Sequence, residues 1–154
     1  MKQREIIIGE VRYAIRLTER TARLYRRVQT VGVFFSIIGG SGALSLLSAQ
    51  VPLWIGMTGS LMLTLSGAAL IAIRPADKAA QNEADRRRYV ALLAKQSNLS
   101  DEQLSAALDE AHQGDTQEVE PLRAVAYNDV VTESGCFDAV MTLTRTQKLW
   151  AAFA

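Results

Sequence analysis

From Val28 to Ile73 the chain carries no Asp, Glu, Lys, Arg or His, a run of 46 residues. On both sides of it apolar residues recur every three or four positions among charged ones, the spacing of amphipathic helices. A helix rises about 1.5 Å per residue and needs roughly 20 apolar residues to cross a hydrocarbon core of about 30 Å, so the run has the length of two crossings and a turn. The turn is marked at Ser48-Ala49-Gln50-Val51-Pro52-Leu53-Trp54, which holds the only proline of the run. Proline starts a helix well and continues one badly. The pattern predicts spans at 31–49 and 53–73, with Trp54 at headgroup level. The fold class is therefore an all-α integral membrane protein in three regions: an amphipathic helix at 1–27, a two-span hairpin at 28–73 and a helical tail at 74–154.

In the first region Ile7, Val11, Ile15, Ala22 and Tyr25 lie near one helical face and Arg12, Arg16, Arg20 and Arg27 near another. Such a helix suits an anionic lipid surface, a continuation of the first span into the cytosol, or a bundle with a solvated basic face. In the tail, Pro75 permits a bend before a helix from Ala76 to about Lys95 that bears Arg86-Arg87-Arg88. Ser100-Asp101-Glu102-Gln103 is a capping box opening a short helix that buries Leu104, Ala107, Leu108 and Ala111 and ends at Gly114. Glu120-Pro121 starts another helix, running to about Thr132. Gly135 separates it from a last helix bearing Phe137, Val140, Leu143, Trp150 and Phe153.

Small residues recur within the spans. Gly32, Ser36, Gly40 and Ala43 share a face of the first, and Gly56, Ser60, Thr64, Ala68 and Ala72 follow one another four apart in the second. Small-xxx-small stripes let helix backbones approach in lipid, so these positions are candidate oligomer-packing sites and a homo-oligomer is expected. Ser41, Ser45 and Ser48 lie opposite Gly32. They could line a narrow water path near the outer leaflet, or serve as interhelical contacts. Gly39-Gly40-Ser41-Gly42 is no phosphate loop, having neither Lys nor Asp beside it and lying at bilayer depth.

Charge fixes the orientation. Residues 1–27 hold eight basic and three acidic side chains, 74–99 six and three, and 100–154 three and ten, while the loop between the spans has none. By the positive-inside rule both termini face the cytoplasm, and Arg26, Arg27 and Arg74 stand at the inner mouth of any pore. A basic start and an acidic end could also dock, within one chain or between subunits. The long charged segment before the run argues against a cleaved signal peptide. A net charge of +1 excludes a nucleic-acid binder defined by bulk charge. One cysteine, Cys136, and one histidine, His112, leave no material for a disulfide scaffold, a zinc cluster or a Cys-His pair. Intramembrane catalysis needs ionisable groups that the spans lack. No enzyme, cofactor or metal is expected.

The order of basic helix, two-span hairpin with both ends inside and helical tail, together with Leu122-Arg123-Ala124-Val125-Ala126-Tyr127-Asn128-Asp129-Val130-Val131, resembles the SLATT family of bacterial two-transmembrane domains associated with nucleotide signalling and sensing modules. The resemblance implies an oligomeric effector of the bacterial inner membrane that acts in anti-phage defence, opening a pore or disrupting the membrane once a cytoplasmic sensor or signalling partner activates it. Tyr127 and Asn128 are then candidate tail-contact residues, since Asn inside a helix needs partners for its amide. The alternatives are a membrane anchor or scaffold that recruits a cytoplasmic partner, and a holin-like phage membrane protein.

Overall fold

The computed structural model describes residues 2–48, 50–116 and 118–154, Lys2 by its backbone alone. All regular structure among them is helical. Helix α1 spans Lys2–Leu44, α2 Leu53–Ile73, α3 Pro75–Lys95, α4 Asp101–Gln113, α5 Glu120–Glu133 and α6 Arg145–Phe153, with single 3-10 turns at Ser45–Leu47, Gln96–Asn98 and Phe137–Ala139. Two helical stretches are long and apolar enough to cross a membrane, and few of the residues in their apolar windows are buried.

The predicted N-terminal helix and first span are one helix, because no proline interrupts residues 2–44 and isolated glycines cost too little to break a helix whose face is packed. That helix is shorter at its far end than the predicted 31–49. It stops at Leu44, tightens into the 3-10 turn and leaves Ser48 extended, while Ala49 lies outside the described residues. Pro52 precedes α2, which begins at Leu53 as its fixed φ allows. Helix α2 ends on Arg74, the only described non-glycine residue with positive φ, at 51°. Pro75 clashes with a right-handed helical conformation at the residue before it, and the Arg74 N–H closes the turn on the Leu70 carbonyl at 3.0 Å.

The chain separates into two compact units: Met1–Leu24 with Lys78–Ala154, and Tyr25–Asp77. The first and third sequence regions thus fold together. In this helical unit Ile7, Val11 and Ala14 of α1 pack with Tyr89 and Leu92 of α3 and Leu104 and Leu108 of α4. Both side chains of the Ser100/Gln103 capping box are in place, and Leu104 and Leu108 are the buried face of α4 as predicted. The predicted last helix differs. Only α6 is α-helical there, and residues 140–144 have no regular structure, with Val140 and Thr144 extended. A second capping box, Thr144 with Gln147, sets its start.

Candidate functional site

In the Tyr25–Asp77 unit the two helices meet along a seam whose paired positions add to nearly the same number. Gly32 faces Leu70, Ser36 faces Ser66, Gly39 faces Leu63 and Gly59, Gly42 faces Gly59, and Gly56 faces Leu46. That constancy is the signature of antiparallel pairing. A Cβ on Gly39 would stand 2.5 Å from the Leu63 nitrogen, and one on Gly59 2.7 Å from the Ala43 nitrogen. Backbone therefore lies directly against backbone, which in lipid gives dispersion contact where hydrophobic drive is missing. Among the described residues one polar link crosses the seam, Ser36 Oγ to Ser66 Oγ at 2.9 Å.

The seam advances by three and four residues alternately, whereas strict four-residue steps turn about 40° around the helix each time and drift away. The predicted packing stripes split for this reason. Gly32, Ser36 and Gly56 are used inside the hairpin; Gly40 has open space around it, Ser60 is half-buried, and Thr64 and Ala68 are exposed. Gly39, Gly42 and Gly59, missed by counting in fours, make the backbone-to-backbone approaches, and a count at the 3.5-residue period finds them.

The serine stripe also differs from its prediction. Ser41 Oγ donates to the Ile37 carbonyl at 3.0 Å, and Ser45 Oγ to the Gly42 carbonyl at 2.7 Å. Ser48 lies past the helix end, where its Oγ accepts from the Gln50 N–H at 3.4 Å. The three are not one helical stripe because α1 ends before the last of them. Arg74 is exposed and pairs with Asp77 at 2.6 Å, while Arg26 and Arg27 lie on α1 one turn before Thr30, whose hydroxyl bonds the Arg26 carbonyl. Around the hairpin the large side chains face outward: Leu47 is 87% exposed, Ile71 79% and Ile37 64%.

In the helical unit the basic start and the acidic end dock within one chain. Arg20 holds Asp129 through two nitrogens, Nε to Oδ2 at 2.7 Å and Nη2 to Oδ1 at 2.9 Å, and its Nη1 donates to the Ala151 carbonyl. Arg16 pairs with Glu133 at 2.9 Å, Arg4 with Asp101 at 2.6 Å, and Arg23 donates to the Ala154 carbonyl. Asn128 clasps the irregular segment after α5: its Nδ2 donates to the Met141 carbonyl and its Oδ1 accepts the Met141 N–H, both at 2.8 Å. The amide partner of Asn128 is thus its own chain. Tyr127 lines a groove of about 610 Å³ between α1 and α5, with Ile6, Gly9, Tyr13, Arg123 and Met141. Burial raises the Tyr13 phenol above its ordinary value, against the opposing hydrogen bond with Arg123.

The Arg86-Arg87-Arg88 run is partly structural. Arg86 pairs with Glu83 at 3.4 Å. Arg88 bonds Asp85 and also donates to the Gly114 carbonyl at 2.8 Å. Asp85, nearly fully buried, accepts the Thr116 N–H at 3.0 Å, so α3 pins the connection after α4. Tyr89, fully buried, donates its hydroxyl to Asp115 Oδ2, while Asp115 Oδ1 is buried without a hydrogen bond. Burial first, and that bond second, raise the Tyr89 phenol; burial raises the Asp115 carboxyl too. Sequence patterning gave no signal for this cluster, since its members lie about 26 to 31 positions apart. His112 is exposed with its ring 5.6 Å from that of Tyr89, and Cys136 is an exposed free thiol. Among the described residues no three His, Cys, Asp or Glu side chains are grouped to hold a metal ion. No family model, curated protein or solved structure matches the chain.

Proposed function

We propose that this chain is an integral membrane effector whose hairpin lies in the bacterial inner membrane and whose helical unit, on the cytoplasmic side, receives a partner. The observation that carries the reading is the hairpin itself: uncharged from Val28 to Ile73, closed along a glycine seam, with large apolar side chains turned outward. In water such a surface would aggregate; in lipid it is ordinary. Two helices packed directly against each other enclose no channel, so any permeation path needs several copies. Gly40, Thr64 and Ala68, off the seam, supply small surface for that contact. The resemblance to the SLATT family adds the role, membrane permeabilisation in anti-phage defence.

The test is expression of the chain with its activating partner while membrane potential and growth are followed. Loss of potential is expected, and Gly40→Leu, which meets nothing inside the hairpin, is expected to prevent it while leaving the fold intact. Growth arrest at full potential overturns the permeabilising role. The second reading, an anchor that recruits a partner, draws support from Ser41 and Ser45, whose hydroxyls bond back to their own helix. It predicts that an unrelated hairpin of equal length keeps function.

A further inference from the structure

Helix α6 is turned the opposite way from a helix of a water-soluble domain. Its small or half-buried side, Gln147, Ala151 and Ala154, faces inward, and Arg20 and Arg23 hold the carbonyls of Ala151 and Ala154. Its large apolar side chains face outward: Leu149 is 70% exposed, Trp150 38% and Phe153 44%. At about 100° per residue these three share one arc, and Arg145 and Lys148 both lie beyond its Leu149 edge. The surrounding charge makes that border distinctive. Residues 100–136 hold nine acidic side chains and one basic, whereas 137–154 hold two basic, Arg145 and Lys148, and one acidic, Asp138.

We infer that α6 is an interfacial helix that docks on an anionic lipid surface, with Leu149, Trp150 and Phe153 in the acyl boundary and Arg145 and Lys148 against lipid phosphates. An outward apolar arc with cations along one edge is the arrangement of a helix that lies in the plane of a bilayer and reaches its charges to the headgroups. The cationic border on an otherwise acidic tail matches negative headgroups and opposes an acidic protein surface. This inference rests on the hairpin lying in lipid: a chain tethered by its own spans keeps the surface at high effective concentration, so a helix of three apolar anchors suffices.

The full chain is reconstituted at one copy and, separately, at several copies per nanodisc, in discs of phosphatidylcholine alone or mixed equally with phosphatidylglycerol, with acyl chains brominated near the headgroup. Trp54→Phe leaves Trp150 as the only indole, and Trp150→Phe leaves Trp54. Trp150 emission is expected to fall at least twofold in the anionic discs. Each of Arg145→Gln and Lys148→Gln is expected to lower the docked-to-undocked ratio about fivefold, from roughly 1 kcal/mol for each basic residue near such a surface. Quenching of Trp54 without Trp150 overturns the docking of α6 and leaves the membrane hairpin standing. Quenching of neither overturns both. Shielding of Trp150 only in discs holding several copies assigns the face to a second chain and overturns the lipid assignment.

Discussion

Asp115 sits in an environment that opposes its charge. Its Oδ1 is buried without a hydrogen bond, with the Arg88 Nη2 4.0 Å away, and burial raises its pKa above the ordinary 3.8. A carboxyl whose folded pKa lies above its unfolded one favours the folded state fully below the unfolded value and loses that contribution as pH rises through the folded one. Asp115→Asn keeps an oxygen for the Tyr89 hydroxyl and removes the charge. It is therefore expected to unfold at higher temperature than the parent at pH 7, with the difference shrinking as pH falls toward 3.8, measured by thermal unfolding of the detergent-solubilised chain. Arg74 carries the other local cost, a left-handed conformation at a residue with a Cβ. Arg74→Gly relieves about 1 kcal/mol of backbone strain, and its exposed ion pair with Asp77 returns less than that. A small rise in stability is expected in the same assay.

At the scale of the element, the glycines of the hairpin divide into two kinds. Gly59→Ala drives a methyl into the Gly42–Ala43 backbone and is expected to destabilise the hairpin by about 1–3 kcal/mol. Gly40→Ala and Gly67→Ala meet nothing and are expected to be neutral or stabilising by up to about 1 kcal/mol. Helical hairpin unfolding in bicelles, read by steric trapping, separates the two. Asn128→Ala removes both bonds to Met141 and is expected to release residues 140–144, seen as faster proteolysis there with α5 unchanged. What could be read from the chain follows range. The uncharged run, Pro52 and the Ser100 capping box act within a few residues, and each marked its element. The seam depends on the difference between a 3.5- and a four-residue step, which accumulates over several turns. Where α6 begins was also local, in Thr144 and Gln147, but the apolar spacing of Phe137, Val140 and Leu143 masked it.

On the scale of the whole molecule, charge does what its distribution along the chain suggested, and does it inside one chain. The Arg20–Asp129 pair is two-pronged and only partly exposed, with side chains 21% and 30% accessible. Arg20→Asp is expected to loosen α5 from α1 and expose α5 amides to hydrogen exchange, and adding Asp129→Arg to restore protection in part; salt should weaken the parent contact only modestly. Which arginine meets which carboxylate was not legible, because pairs 109 and 117 positions apart are set by how helices pack and not by local pattern.

The antiparallel seam also limits how the hairpin can move. A slip of one turn in one direction carries Leu46 toward the place where Gly42 and Ala43 meet Gly59, and a slip in the other carries Ser36 to the place of Gly39. Either sets a side chain where only main chain fits, so the two helices cannot act as pistons. Any signal relayed through them must travel as a roll about their common axis or as an unzipping, in which Gly39, Gly42 and Gly59 come apart together.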